Sequence, residues 1–359
     1  MVAIITMMFL FGIIAFVTNL AAPIGVIWKN AFSHSENANT IGMLGNAMNF
    51  LAYLFMGIPS GKMLNKYGYK QTALTGIATG FIGILLQFLS GLCGMGLGGF
   101  AVYLAGAFVC GFSVCMLNTV VNPLLNVLGG GGKTGNQLIQ IGGAANSAAA
   151  VAVYILMGAL IGEVTKSTGI SDATPALIIA GVIFVIAFVI LLFTKIEEPE
   201  QAKVELSLIT GALKFRQLSL GALAIFLYMS VEVGTPTYMI SYLQTPEVGL
   251  SAGVAGLIAS VYWLMMFVGR SIGGSIGGKV SSRAMVSTVA TAAIALLLFG
   301  IFAPETMKVT VIGIDWGNLE VIYPQVPVCV LAFILVGLCT SVMWGVIFNM
   351  AVEGLGKYT

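Results

Sequence analysis

The chain has 359 residues, and 58% of them are of the hydrophobic types Ala, Val, Ile, Leu, Met, Phe, Trp, Tyr and Cys. Charged residues make up only 8%, against about 25% in an average soluble domain, so they cannot cover a water-facing surface. The mean hydropathy is +1.03. This composition excludes a soluble globular protein, and a net charge of +2 without a basic run excludes a nucleic-acid partner.

The apolar residues are grouped into ten stretches that are long enough to cross a bilayer. About 20 apolar residues in a helix span the hydrocarbon core. The sequence therefore predicts an all-α, polytopic membrane bundle. Its ten segments, called spans 1 to 10 in chain order, cover 4–27, 41–63, 71–90, 100–122, 138–161, 174–194, 218–243, 252–276, 284–303 and 327–350.

The loops between these spans differ in their basic residues. Twelve of the 15 Lys and Arg residues fall in one set of loops, and the alternate loops hold only Lys29, Lys166 and Lys308. Cytoplasmic loops carry the excess of Lys and Arg, because these residues resist translocation. The pattern predicts a cytoplasmic amino terminus.

One long charged segment, residues 195–216, separates six spans from four. The string SGKMLNK (60–66) after span 2 has an echo in GGKVSSR (277–283) after span 8, as expected of parallel internal repeats. The predicted domains are a six-helix bundle at 1–194, a cytoplasmic linker at 195–216 and a second bundle at 217–359. Because the second bundle holds four of six expected spans, we expect two further spans beyond Thr359.

The loop after span 2 carries a recognisable signature. GKMLNKYGYK (61–70) resembles the loop motif G-x-x-x-D-R-x-G-R-R/K of the major facilitator superfamily, with Asn65 in place of the usual Asp. The resemblance implies two six-helix bundles and a loop that takes part in conformational change. The residues assigned to this conformational role are Gly61, Asn65, Lys66, Gly68, Lys70, Arg270 and Arg283.

Longer strings narrow the resemblance to the fucose/glucose/galactose:proton symporter family. They are LNTVVNPLLNVLG (117–129), FLYMSVEVGTPTYMISYL (226–243), YWLMMFVGRSIG (262–273) and EGLGKYT (353–359), in the same order as in that family. The family resemblance implies a sugar permease with ten of twelve transmembrane helices present in this chain.

Three positions depart from the family pattern. Asn19 and Asn118 stand where the family has the membrane carboxylates that it uses for sugar binding and proton coupling. Asn146 and Ser147 resemble the family's Asn-Ser pair in span 5, but the Gln expected three residues earlier is Gly143. Proton coupling therefore cannot be carried over through these positions.

Glu232 is the one acidic residue that falls inside a predicted span. An ionised carboxylate at mid-membrane costs about 2.5–3.5 kcal/mol on insertion scales. Protonating a Glu with a reference pKa of about 4.3 at pH 7 costs about 3.7 kcal/mol. Because the two penalties nearly cancel, Glu232 is the candidate proton-coupling residue. The alternative is a structural carboxylate paired with Arg270 or with tyrosines.

Carboxamides and hydroxyls inside the spans form the candidate substrate site. Amides both donate and accept hydrogen bonds and so match the hydroxyls of a neutral sugar, while aromatic rings can stack against a pyranose. The alternatives are hydrogen bonds that join helices, and core packing of the aromatics. The candidate substrate-binding residues are Asn19, Asn46, Asn49, Asn118, Asn122, Gln140, Asn146, Glu232, Thr235, Tyr262, Trp263 and Trp344.

The sequence thus predicts a secondary transporter that moves a neutral monosaccharide or related polyol by alternating access, with proton coupling as a further possibility. A carrier of another small solute, such as an organic acid, and a non-transporting sugar sensor stay open as alternatives. We expect no enzymatic activity, no cofactor and no metal, and buried cysteines that only pack. The expected setting is a monomer in the bacterial inner membrane.

Overall fold

The computed structural model describes residues 2–130, 132–162, 164–165, 167–196, 198, 211, 214–276 and 280–352, without the side chains of 132–137, 349 and 352. Three predicted segments lie wholly or partly outside the described residues: most of the linker at 195–216, residues 277–279 of the second loop copy, and the string at 353–359.

All ten predicted spans are helical. Eight described helices are long and apolar enough to cross a membrane, and one of them contains both span 2 and span 3. The helices for spans 1 to 9 are Val2–Ala31, Ala38–Leu92 (spans 2 and 3), Leu97–Leu128, Gly132–Ile161, Thr174–Phe193, Arg216–Leu243, Ala252–Ile276 and Ser282–Phe302. A short 3₁₀ turn, Ile170–Ala173, precedes span 6.

Spans 2 and 3 meet at a single break instead of the loop expected between 63 and 71. The chain is helical on both sides of Gly68, which has φ 84° and ψ 176°. Only glycine adopts such a φ without steric cost, so this residue turns the chain within one position. The signature loop is therefore mostly helix with one glycine hinge.

Span 10 is divided into two short helices, Cys329–Thr340 and Met343–Val352, where one continuous helix was expected. At the break, the Thr340 hydroxyl donates to the carbonyl oxygens of Val336 and Gly337, and the Ser341 hydroxyl donates to Leu338. Hydroxyls that bond to the preceding turn bend helices. The break between the two helices falls at these bonds.

The connection between spans 9 and 10 forms a two-stranded ribbon, which corrects the all-α prediction locally. β1 (Lys308–Thr310) pairs antiparallel with β4 (Gln325–Pro327), and β2 (Gly313–Asp315) pairs with β3 (Glu320–Ile322). Alternating Val and Ile residues on either side of a turn-forming Asp-Trp-Gly-Asn favour this hairpin. The side of the bundle with this ribbon is called the hairpin end, and the opposite side the linker end.

The apolar core has one large cluster within residues 7–191 and a second cluster that joins the two parts of the chain. In the second cluster, Ala150 and Tyr154 of span 5 pack with residues of spans 7, 8 and 10. Four cysteines are buried as expected, but Cys93 is exposed because it lies just after the end of span 3.

Candidate functional site

Arg270 on span 8 is the centre of the polar network that connects the two parts of the chain. Its Nη2 lies 3.2 Å from Oε1 of Glu232 on span 7. Its Nη1 donates to the Gly143 carbonyl and to the Ser147 hydroxyl on span 5, both at 2.7 Å, and Nε donates to the Ser341 carbonyl at 3.4 Å. One guanidinium therefore holds spans 5, 7, 8 and 10 together.

Because the ion pair is buried, loss of one partner has a large effect on stability. The Arg270 and Glu232 side chains are only 11% and 9% exposed. A buried pair is weak evidence for net stability, but removing one partner leaves an uncompensated charge that costs about 3–5 kcal/mol. The planar guanidinium donates in several directions at once, to the Glu232 carboxylate and to oxygen atoms of Gly143, Ser147 and Ser341.

Gly143 and Tyr228 complete the surroundings of this pair. A Cβ at position 143 would lie 3.3 Å from Cδ of Arg270, so the glycine leaves room for the arginine and exposes its own carbonyl. The Tyr228 hydroxyl is buried and lies beside the Glu232 carboxylate, without a hydrogen bond of good geometry. The structural alternative for Glu232, pairing with Arg270, is thus the arrangement observed.

The predicted amides of spans 1 and 5 bond to backbone. Asn19 Nδ2 donates to the Ala15 carbonyl one turn earlier, at 2.9 Å. Asn146 Nδ2 donates to the Phe11 carbonyl at 2.9 Å and so joins span 5 to span 1. Both contacts agree with the alternative in which the amides connect or brace helices.

Span 4 carries a second pair of amides. Asn118 Nδ2 donates to the Tyr53 hydroxyl on span 2 at 2.7 Å, and Asn122 Nδ2 donates to the Asn118 carbonyl at 3.2 Å. The Oδ1 atoms of Asn46, Asn49 and Asn122 are buried without a hydrogen-bond partner. Oδ1 of Asn126, on the same helix as Asn122, is also buried without a partner. A buried acceptor left unpaired costs about 1–3 kcal/mol.

The remaining candidates of spans 5 and 7 lie elsewhere along the interface. Gln140 sits between spans 8 and 10, since a Cβ at Gly345 would lie 3.0 Å from its Nε2 and one at Gly274 would lie 3.6 Å from its Cβ. Thr235 is half-buried, one turn after Glu232. Neither side chain belongs to the Arg270 network.

The predicted aromatic residues pack against protein. The Tyr262 hydroxyl is 3.0 Å from Oγ1 of Thr340, and the Tyr262 and Trp263 rings meet edge to face at 5.5 Å. Trp344 stacks on Phe348 with ring centroids 5.5 Å apart. These contacts agree with core packing, the alternative to a sugar platform.

Two of the cavities that the described residues form lie between the parts of the chain, both toward the hairpin end. One, of about 30 Å³, is lined by spans 1, 5, 7 and 8, and the other, of about 20 Å³, by spans 1, 2 and 7. Each has room for about one water. None of the predicted substrate residues lines either cavity, so neither is the shared pocket expected from the sequence. Asn118 and Asn146 bond to neighbouring helices, and Asn19 bonds within its own helix. Arg270 contacts spans 5, 7 and 10 from span 8.

At the linker end, the signature loop is fixed by a residue that sequence reasoning missed. The Glu198 carboxylate accepts the backbone N–H groups of Tyr69 and Lys70 at 2.7 and 2.9 Å, at the start of span 3. In return, Lys70 Nζ donates to the carbonyls of Leu192 and Thr194 at the end of span 6, both at 2.8 Å. A carboxylate at a helix N-terminus and a cation at a C-terminus both match the helix dipole.

The other predicted loop residues make only local contacts. Asn65 Nδ2 donates to the Gly61 carbonyl one turn earlier, and Lys66 Nζ lies 5.0 Å from the centre of the Tyr67 ring. Arg283 is exposed. Arg270, which was grouped with the loop residues, lies inside span 8 instead, because its charge is matched by Glu232 and by carbonyl oxygens there.

Comparison with known proteins agrees with this architecture. Residues 4–358 match the family model of the Major Facilitator Superfamily. The chain is 24% identical to the glucose/galactose transporter of Brucella abortus, over 98% of this chain and 79% of that protein. It is 22% identical to the L-fucose-proton symporter of Escherichia coli, over 79% of this chain and 70% of that one.

Solved structures show the same fold. The transporter FucP in the outward conformation superposes with a TM-score of 0.72 at 19% identity, covering 99% of this chain and 86% of that chain. The D-xylose-proton symporter gives 0.65 at 13% identity, with 99% and 88% covered. The family match covers nearly the whole sequence and assigns it to transporters, not to enzymes. The chain therefore belongs to the Major Facilitator Superfamily, as a multi-pass membrane transporter related to sugar transporters.

Proposed function

We propose that this protein is a secondary transporter that moves a neutral monosaccharide across the bacterial inner membrane by alternating access. The observation that carries the proposal is the Arg270 network, because its bonds reach span 5 from span 8 and so cross between the six spans at 1–194 and the four at 217–359. Rocking of two bundles about their interface has to break and remake such contacts. The superfamily match and the two sugar-transporting relatives support the same function.

The polar groups favour a neutral polyol as the substrate. The unpaired Oδ1 atoms of Asn46, Asn49 and Asn122 can accept hydrogen bonds from sugar hydroxyls. Arg270, the cation within span 8, is already matched by Glu232. An anionic solute would therefore find no free positive charge at that position, which favours a sugar over an organic acid.

Glu232 is the proposed proton-coupling residue. Protonation of its carboxylate would remove the charge that pairs with Arg270 and would weaken one contact of the network that crosses the interface. Because the same guanidinium bonds to span 5, a change at Glu232 is transmitted to the contact between the two halves. Proton binding and rearrangement of the interface are coupled through Arg270.

The proposed orientation places the linker end in the cytoplasm. It follows from the eleven basic residues in the loops of that side, with Arg270 left out because it lies inside span 8, against three in the loops of the hairpin side. The Arg270 network lies in the cytoplasmic half of the interface under this orientation, and the two cavities lie toward the outside.

Counterflow in proteoliposomes tests the function. Vesicles loaded with unlabelled glucose, galactose or fucose should accumulate the labelled sugar from outside, and the rate should saturate with concentration. Hexuronates and monocarboxylates in the same assay test the organic-acid alternative. Saturable sugar binding by the detergent-solubilised protein without counterflow would indicate a sensor and contradict the proposal.

A second experiment separates coupling from transport. Glu232→Gln should abolish sugar accumulation driven by an inward proton gradient while counterflow continues. Glu247→Gln is the matched control, since it alters an exposed carboxylate in the loop after the same helix. Gradient-driven uptake at the unmodified rate in Glu232→Gln would refute the coupling role.

A further inference from the structure

The tip of the ribbon between spans 9 and 10 is held in a defined turn. Oδ1 of Asp315 accepts the backbone N–H of Gly317 at 2.9 Å, and its Oδ2 accepts from Nδ2 of Asn318 at 2.9 Å. The Asn318 amide and the backbone N–H groups lower the pKa of the Asp315 carboxyl. These hydrogen bonds stabilise the turn that carries Trp316.

Trp316 is wedged between helices of the two halves. A Cβ at Gly158 on span 5 would lie 2.4 Å from its Nε1, and one at Gly253 on span 8 would lie 2.5 Å from its Cδ1. Both positions accept the indole only because they are glycine, since real Cβ atoms do not approach other atoms so closely. The ring thus occupies a slot between spans 5 and 8, with one glycine on each side.

The indole contacts two of the glycines that line the larger of the two cavities. Gly158, Gly253 and Gly256 line that cavity together with Tyr154. Nε1 of Trp316 is buried and has no hydrogen-bond partner. An N–H group that loses water without gaining a partner is destabilised, so the indole N–H would have more favourable surroundings in water.

We infer that Trp316 is the gate residue of the hairpin end: it closes the seam between spans 5 and 8 and must leave the slot whenever that end opens. Withdrawal would return Nε1 to water, which offsets part of the apolar area exposed on opening. This inference rests on the proposed transport function, to which it adds a residue that acts in the opening step.

Accessibility of the seam tests the gate without relying on transport. Gly256→Cys is a suitable probe, because its Cβ would meet only Tyr154 at an ordinary 3.7 Å. The rate at which a membrane-impermeant maleimide labels this cysteine in intact proteoliposomes is measured with all five native cysteines replaced by Ala. Native Cys93 is retained in a parallel sample as the exposed reference.

Combining Trp316→Ala with Gly256→Cys should raise the labelling rate at least fivefold and leave the labelling of Cys93 unchanged. The matched control is Val321→Ala, which shortens an exposed side chain of the same ribbon and should have no effect. Equal labelling rates in the Trp316→Ala and Val321→Ala backgrounds would overturn the gate.

A second variant keeps the test independent of how well Trp316→Ala folds. Gly158→Ala should expel the indole and reproduce faster labelling, whereas Leu160→Ala on the exposed face of span 5 should not. Slow labelling in Gly158→Ala would contradict the gate even if Trp316→Ala labels quickly. If labelling follows these expectations but no sugar is exchanged by any variant, the proposed function fails and the seam closure by Trp316 stands.

Discussion

The two ends of the interface between spans 5 and 8 are closed by different chemistry. Toward the linker end, Arg270 ties span 5 to spans 7, 8 and 10 through an ion pair and carbonyl oxygens. Toward the hairpin end, the contacts are apolar, with Tyr154 in the second core cluster and Trp316 against two glycines.

This difference teaches how two closures can respond to different signals. Opening an ionic closure rehydrates charges, so its free energy depends on protonation and on the partners that remain. Opening an apolar closure exposes apolar surface to water, which costs about 25 cal/mol of free energy per Å². That cost does not depend on pH. A carrier that opens one end at a time can therefore link protons to one end and leave the other to substrate contacts and packing.

The largest expected effect is at the ionic closure. Arg270→Ala leaves Glu232 buried without its partner and should lower the free energy of unfolding by about 3–5 kcal/mol. The measurement is thermal or denaturant unfolding of the detergent-solubilised protein.

The double variant Arg270→Ala with Glu232→Gln serves as the control for that loss. It removes the stranded charge as well and should recover at least half of the lost stability. If the double variant is as unstable as Arg270→Ala alone, the unpaired Glu232 charge is not the cause of the lost stability.

A second effect concerns the glycine hinge at the linker end. Gly68→Ala forces a side chain into a φ of 84° and brings a Cβ to 2.7 Å from Oε2 of Glu198, so the loss should be about 1–3 kcal/mol. Gly61→Ala is the matched control, because that position is helical and open, and alanine there should gain up to about 1 kcal/mol. Equal unfolding midpoints for the two variants would show that the hinge is not strained by a side chain.

The hinge illustrates what the sequence could predict. The ten spans could be predicted from ten apolar stretches, because a helix that crosses a bilayer must be apolar over about 20 residues. The loop could be predicted from the positions of Gly68 and Lys70 in the motif. Glu198 could not be found this way, because its contact with Tyr69 joins residues 129 positions apart and depends on how span 6 packs against span 3.

The candidate site was predicted less well than the fold. The pairing of Glu232 with Arg270 was one of two alternatives, because a single acid inside the spans has few possible partners. The direction of each amide could not be read from spacing: Asn19 bonds within its own helix, whereas Asn146 reaches span 1. The ribbon that carries Trp316 was not predicted, although β-branched residues on either side of a turn are a local signal for it.

A third, smaller effect separates contacts within one half from contacts across the interface. Glu198→Ala removes the carboxylate that caps span 3 and should cost about 1–2 kcal/mol. Glu198→Gln keeps one acceptor and should cost less. Neither substitution should alter labelling of Gly256→Cys, since the hydrogen bonds of Glu198 among the described residues go to the start of span 3. A change in that rate would show that the loop acts on the hairpin end as well.

The smallest expected effect is at the apolar closure. Ile240 of span 7 is 4% exposed and lines both cavities. Ile240→Val removes one methylene and should cost about 0.5–1.5 kcal/mol in unfolding experiments, with the same loss at every pH from 5 to 8. A loss that varies with pH would place a titrating group at this end and remove the contrast between the two closures.

Alternating opening is tested most directly by two distances measured between spin labels on spans 5 and 8. One pair, Ile141→Cys with Ile272→Cys, reports on the linker end, and the other, Leu160→Cys with Leu257→Cys, on the hairpin end. Between sugar-free and sugar-saturated proteoliposomes, one distance should lengthen while the other shortens or stays short. Two distances that lengthen together, or that stay fixed while the sugar is shown to bind, would contradict alternating access.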